Sequence, residues 1–373
     1  VAGMIRRGHD VTIFANHIVD PGAKHPVIEQ HRLMERVVVR PVVRKGWAGR
    51  ALQAIRSLGV AIGSGRILPA LATLNVFRRG RAALGLHLLV RASVHFRRYQ
   101  FDVLHCQFGQ LGIDVAALKD CGVLEGSLVT SFRGADATIA AHQGSAEFDN
   151  LFRVGDCFLA VSESIRQELL KLGCPATKIE ILRSGIDLSA FHYRGPRELH
   201  TPIRLVSIGR LAPTKGIEFA LEAVRKLVDE GLVLEYRIIG DGPRRQELLD
   251  KVAQLNLEPF VEFQGRVGAD RVVEILCDSD ILVAPSVVAP SGQTEGVPNV
   301  LKEAMACGVP AIGTRVGGVA ELIEHGINGF LVPQQDADAI AECVRSVVAQ
   351  QDALPQILSQ ARASIEQDYD LQR

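Results

Sequence analysis

Cysteine is present, but in no pattern that would make it structural or metal-binding. The seven cysteines of this 373-residue chain stand apart, no two share a C-x-x-C spacing, and their number is odd. Neither a zinc cluster nor a disulfide framework is expected, and the thiols read as those of a reducing, cytosolic compartment. Long apolar runs are also missing. The best, ILPALATLNVF from Ile67 to Phe77, is bracketed by Arg66 and Arg78 and is shorter than the roughly 18 residues of a membrane span. No glycine-rich turn leads into G-K-[ST], which excludes a Walker phosphate loop. No metal cluster such as a D-x-D beside a strand end stands out, so no metal is expected. The chain opens on Val1, without a methionine or the apolar core of a signal peptide, and its natural N-terminus is expected to lie further upstream.

Acidic residues are absent from one long stretch. Between Arg36 and Phe101 there are thirteen Lys or Arg and no Asp or Glu, although the whole chain balances 42 against 42. Such asymmetry points to an anionic partner for the basic part, or to a basic solvated surface. Within it, LATLNVF and LGLHLLV alternate with RRGR and FRRY. That alternation suits helices lying in a lipid interface, with Arg78, Arg79 and Arg81 at its centre.

What is present is the pattern of an α/β protein. The apolar fraction of 47% and charged fraction of 23% are those of a globular chain, and its length favours two domains. From Ile203 onward, IRLVSIG, LEYRIIG, VEFQG, ILVAPS, PAIGT and GFLVP read as strands separated by helical patterns such as GIEFALEAVRKLVDEG. The first half repeats the theme in VTIFAN, RVVVRPV, FDVLHCQF, LVTSF, CFLAVS and KIEILRSG. Strands alternating with helices predict two doubly wound parallel sheets in tandem. The polar segment Ser189–Pro202 marks the boundary. It gives domains at 1–190 and 203–350, with 351–373 starting a helical tail. Ligands of such sheets sit beyond the carboxyl ends of the strands, so a cleft between the domains is the expected site.

Three motifs lie at such ends. In SIGRLAPTKG, Gly209 permits a sharp turn, and Arg210 and Lys215 follow where a phosphate would lie; a solvated loop is the plain alternative. In IIGDGPRR, Gly240 opens a G-x-G turn, but Arg245 stands where a dinucleotide fingerprint needs a small residue, so a tight turn is the simpler reading. The third is SGQTEGVPNVLKEAMACGVP. Here Pro298 suits the first turn of a helix, and the N–H groups of Gly296, Val297, Asn299 and Val300 are left free to form an anion site. Glu303 falls one turn beyond Asn299, placed to accept from a ribose diol. Glu295, in the loop, can reach hydroxyls of a group beyond the phosphates. Two carboxylates around an anion site suit a sugar nucleotide, although two glutamates alone are often a solvated face. His105, Gln107, Phe108 and Gly109 are cleft candidates by position, and Asp136 is a candidate helix cap.

These segments resemble the nucleotide-binding domain of retaining glycosyltransferase family 4. The resemblance rests on GRLAPTKG, IIGDGP, FQGRV, SGQTEGVPNVLKEAMACGVPAIGTRVGGVAELI and NGFLVP, with fainter matches in FDVLHCQFG, VTSFRGAD, FLAVSESIRQELLKLG and ILRSGIDLSAF. The wording is closest to exopolysaccharide enzymes of the colanic-acid type. The resemblance implies the GT-B architecture, two Rossmann-like domains facing across a cleft. It implies a metal-independent, cofactor-free transfer of a hexose from a UDP- or GDP-sugar to a glycan or polyprenyl-linked acceptor, and no role for nucleic acid. Arg210 and Lys215 would hold the diphosphate, Glu295 the donor sugar and Glu303 the ribose. The enzyme would be cytoplasmic, with peripheral membrane contact through residues 36–101.

The chain departs from the family in three ways. Arg133 stands where many members have a histidine that touches the donor sugar. The first strand and its glycine loop are not in the sequence. The chain stops at EQDYDLQR, ahead of a helix that usually crosses back. Two other classes remain open at this stage: an inactive sugar-nucleotide-binding subunit, which Arg133 favours and Glu295 opposes, and a sugar-nucleotide epimerase, which the GRLAPTKG loop opposes.

Overall fold

The computed structural model describes residues 1–17, 26–75, 84–195 and 198–372. It forms two compact units. The first comprises residues 1–106, 110–129 and 150–156, and the second 107–109, 130–149 and 157–373.

The first unit contains β1 (Ile13–Ala15) and β2 (Val37–Val39), a parallel pair. They are accompanied by the short helices α1 (Ala2–Arg6) and α2 (Pro26–Gln30). A helical layer follows: α3 (Trp47–Gly63), α4 (Ile67–Ala72) and α5 (His87–Ala92). Helix α3 turns Ala54, Ser57 and Ala61 inward, a spacing of three and four residues that defines one helical face. Leu89, Val90 and Ala92 of α5 are also buried. The end of LGLHLLV therefore supplies core, although Leu84 is exposed, which corrects the expectation that the whole segment lies in a lipid interface. Strand β3 (Gln100–Cys106) leads into α6 (Gly109–Asp120) and then β4 (Glu125–Phe132).

The second unit continues with α7 (Ala135–Gln143). The chain passes through α8 (Asp149–Val154), nearly all of it in the first unit, before β5 (Cys157–Ala160), α9 (Glu163–Lys171) and β6 (Ile179–Ile181) of the second. The sheet order is β3-β4-β5-β6, and β5 pairs with β6 in parallel. Helix α9 starts at a true cap, since Ser162 Oγ accepts from the Ile165 N–H.

The larger sheet has the order β12-β11-β10-β7-β8-β9 and every pairing is parallel. Its strands are β7 (Ile203–Ile208), β8 (Leu234–Ile239), β9 (Val261–Gly265), β10 (Ile281–Ala284), β11 (Ala311–Thr314) and β12 (Phe330–Val332). All twelve described strands fall on segments predicted from the sequence. The helices between them are α10 (Ile217–Asp229), α11 (Arg245–Gln254), α12 (Ala269–Asp278), α13 (Asn299–Cys307), α14 (Val319–Leu322), α15 (Ala337–Ala349) and α16 (Leu354–Asp368). Residue alternation divides the core between the two faces. Ile281 and Val283 of β10 join the cluster under α10 and α15, whereas Leu282 and Ala284 join the one under α13. The strand order reverses between β7 and β10, and a doubly wound sheet binds its ligand at that point. After α16 the chain returns to the residues following β6, with Ile186 N–H donating to Tyr369 O at 2.8 Å.

Candidate active site at the reversal of strand order

The loops after β7 and β10 are laced together. Gly216 follows the one-turn helix Pro213–Lys215 with φ +57, and a Cβ there would lie 2.1 Å from Pro285 O. Val287 N–H donates to Thr214 O at 2.9 Å. These contacts bring Lys215 to Glu295, with Nζ 2.7 Å from Oε1 and 2.9 Å from Oε2. Ser286 Oγ stands 3.4 Å from the same carboxylate. Two charges predicted from motifs 80 residues apart thus form one half-buried ion pair. Arg210 is exposed and has no ion-pair partner among the described residues.

Close approach of backbone requires glycine at position 240, while Gly209 faces only the movable end of the Lys215 side chain. A Cβ on Gly209 would sit 3.0 Å from Lys215 Cε, and one on Gly240, at φ +133, would sit 1.9 Å from Gly209 O. The bare backbone at these two strand ends leaves a cavity of about 580 Å³, lined by Gly209, Arg210, Gly240, Asp241, Arg266 and Val267 among others. Gly240→Ala would force a methyl group into a carbonyl oxygen from an unfavourable φ. It should lower stability by about 1–3 kcal/mol, read as a fall in Tm; an unchanged Tm would show that the strand ends can shift.

The opening of α13 follows the loop that leaves β10. The helix begins at Asn299, with Pro298 one residue ahead of it at φ −60 and ψ 126, so the proline stands at the cap and not inside the first turn as predicted. The N–H groups of Val297, Asn299 and Val300 donate to no backbone oxygen among the described residues. Gly296 is buried, and a Cβ on it would meet Arg133 O and Val161 Cγ2 at 2.7 Å. Glu303, one turn in, is half-buried and has neither a hydrogen bond nor an ion pair to a described residue. Burial pushes its carboxyl above the ordinary range, against the opposing charge of Lys302.

Arg133 belongs to the same neighbourhood. A Cβ on Gly134 would lie 3.0 Å from Thr294 O and 3.1 Å from Gly296 N, and Thr294 N–H donates to Thr138 Oγ1 at 3.2 Å. The Arg133 guanidinium is exposed, donates from Nη2 to Gln107 Oε1 at 2.6 Å and lies 5.9 Å over the Phe108 ring. Asp136 is not the cap of α7. It sits in the first turn, and its carboxylate accepts from the N–H groups of Arg133, Gly134 and Gly109. It therefore fixes the Arg133 loop. His105 lies on exposed β3 in the other unit.

Sequence reasoning passed over two features. Lys302 is fully buried, donates from Nζ to Ser184 O at 2.5 Å, and is pushed down to about 8 by burial. Its signal was a lysine inside an otherwise apolar helical stripe. The second is Asp278-Ser279-Asp280, a D-x-D ahead of β10. Asp278 pairs with Arg204 and Arg237, and Asp280 accepts from His200 Nδ1 at 2.8 Å. Both carboxylates are engaged in structure, and no cluster with metal-binding geometry occurs among the described residues.

A two-domain fold with parallel sheets and a nucleotide-sized cavity at a strand reversal is the GT-B class. Solved structures agree. A glycosyltransferase from Rickettsia africae has a TM-score of 0.67 at 15% identity, covering 100% of this chain and 89% of its own. Anabaena HepE, solved with UDP and glucose, has 0.66 at 19%, covering 92% and 84%. Family models for "Glycosyltransferase Family 4" and "Glycosyl transferases group 1" match residues 1–190 and 202–350. The chain belongs to glycosyltransferase family 4, which sets aside the epimerase alternative. Amylovoran biosynthesis glycosyltransferase AmsK of Erwinia amylovora is 32% identical over 99% of this chain and 91% of its own length. Putative colanic acid biosynthesis glycosyltransferase WcaL of Escherichia coli K12 is 34% identical over 80% of this chain and 74% of its own.

Proposed function

We propose that this glycosyltransferase is a retaining hexosyltransferase of exopolysaccharide synthesis that uses a UDP- or GDP-sugar. The observation that carries the reading is the convergence at one strand reversal of the Lys215–Glu295 pair, unpartnered Glu303 and the free N–H groups opening α13. The names of AmsK and WcaL support the pathway class, and HepE, solved with UDP and glucose, supports the ligand class.

In this reading Glu303 accepts from the ribose hydroxyls, and the diphosphate lies against the start of α13. Arg210 and Lys215 meet the charge that grows as the C1–O bond to phosphate breaks. Lys215 exchanges its carboxylate partner for phosphate, which frees Glu295 for donor-sugar hydroxyls. The acceptor hydroxyl attacks C1 from the face the phosphate leaves, so configuration is retained. Its proton passes to the departing phosphate oxygen, and no separate side-chain base is required. The diphosphate charge is met by two side chains and a helix start, so the reaction is proposed to run without a divalent cation. Arg133, held by Gln107 beside Gly296, takes the donor-sugar contact that a histidine makes elsewhere in the family.

The test is nucleotide release against a panel of UDP- and GDP-sugars, with and without EDTA, followed by the anomeric configuration of the product. Release that survives EDTA and retains configuration supports the reading. Tight nucleotide binding without release under any donor and acceptor would make the chain a binding subunit, and inverted product would overturn the mechanism.

A further inference from the structure

We propose that the outer face of α3 and α4 docks on the anionic leaflet of a lipid bilayer. The apolar residues here are exposed: Trp47 70%, Ile55 65%, Ile62 65% and Leu68 76%. Ile55 and Ile62 lie two turns apart on one flank of α3, each next in sequence to a buried alanine, so beside its core-facing side the helix carries an apolar flank that is uncovered. Helix α3 is about 25 Å long, enough to lie flat along a headgroup layer.

Charge identifies the partner. Five cations of the basic stretch are paired with carboxylates: Arg36 and Arg98 with Asp10, Arg40 and Arg91 with Asp114, and Arg66 with Glu125; Arg97 is exposed without an acidic partner among the described residues. The cations beside the apolar face are unpaired as well. Arg44, Lys45 and Arg56 are exposed and pair with no acidic residue among the described residues. Exposed indole and branched aliphatic side chains set among unpaired cations fit a surface that is apolar below and negative above. A soluble polyanion would use the cations and leave the four large apolar side chains in water. No helix among the described residues is long and apolar enough to cross a membrane, so the contact lies in the interface plane. Arg78, Arg79 and Arg81, the cations first expected to lead it, fall outside the described residues.

The experiment is co-sedimentation with phosphatidylcholine vesicles containing or lacking phosphatidylglycerol, at low and high salt. The unmodified protein should sediment only with anionic vesicles and be released by salt. Replacing Arg44, Lys45 and Arg56 together by Ser should weaken partition roughly a hundredfold, about fivefold per charge. The double variant Ile55→Ser, Ile62→Ser should weaken it as well, while soluble heparin binding stays unchanged. UDP or GDP affinity should be unaltered in both variants, which confirms that each is folded. Failure of the unmodified protein to sediment with anionic vesicles at low salt overturns the proposal. So does heparin binding as tight as vesicle binding with no effect of the isoleucine changes, because the face then serves a soluble polyanion. Neither failure touches the transferase reading, which nucleotide release tests separately.

Discussion

Lys215→Met should lower the turnover number by about 10²–10³ and raise the Michaelis constant much less, the loss expected when a preorganised donor to developing negative charge is removed. The ammonium faces a carboxylate before substrate arrives, 2.7 Å from Glu295 Oε1. Its contribution is therefore greatest when the leaving diphosphate carries more charge than the intact donor, and that difference appears in the turnover number. The substitution also leaves a half-buried carboxylate without its cation, so the double variant Lys215→Met, Glu295→Gln serves as a structural control. Arg210→Gln is cleaner. That side chain is exposed and unpaired, so stability should change by no more than about 0.5 kcal/mol while turnover falls. A change confined to the Michaelis constant in both single variants would make these cations ground-state binders and nothing more.

The strands were legible because a buried parallel strand must be a short run of branched apolar residues, and ILVA of β10 can read no other way. The strand reversal was not legible. Nothing in SIGRLAPTKG or PSGQTEG states that β7 and β10 are neighbours; that follows from strand order, which is set by how helices pack over the whole sheet. Charges that stand beside each other only through topology carry no local signature, so the Lys215–Glu295 pair emerged only from the structure. The reading of LGLHLLV failed for a related reason. Alternation of apolar and basic segments describes a membrane face and a small helical core equally well. Burial of Leu89 and Val90 decides for the core, and exposure of Ile55 and Ile62 moves the apolar face to α3.

Glu303→Gln should weaken binding of free UDP or GDP by about 1.5–3 kcal/mol, or roughly 10- to 150-fold, the range for hydrogen bonds to a charged group. Isothermal titration would measure it. Glu295→Ala should leave free-nucleotide affinity nearly intact, because its proposed target is the sugar, and should lower turnover instead. The two carboxylates should also differ in pH response. Burial raises the Glu303 carboxyl above its ordinary range, and only the ionised form accepts both hydroxyls of a ribose. Nucleotide affinity should therefore be full above that raised value and decline as pH falls through it, at a higher pH than for an ordinary glutamate. The nucleotide-free protein should show the opposite trend in stability. Between the unfolded and folded values the native state holds the extra proton, so stability is complete below the unfolded value and is lost as pH rises through the folded one. Both slopes should flatten in Glu303→Gln, which keeps the shape and cannot ionise. Equal loss of free-nucleotide affinity in Glu295→Ala and Glu303→Gln would refute the division between sugar and ribose. A pH response unchanged in Glu303→Gln would place the titrating group elsewhere in the site.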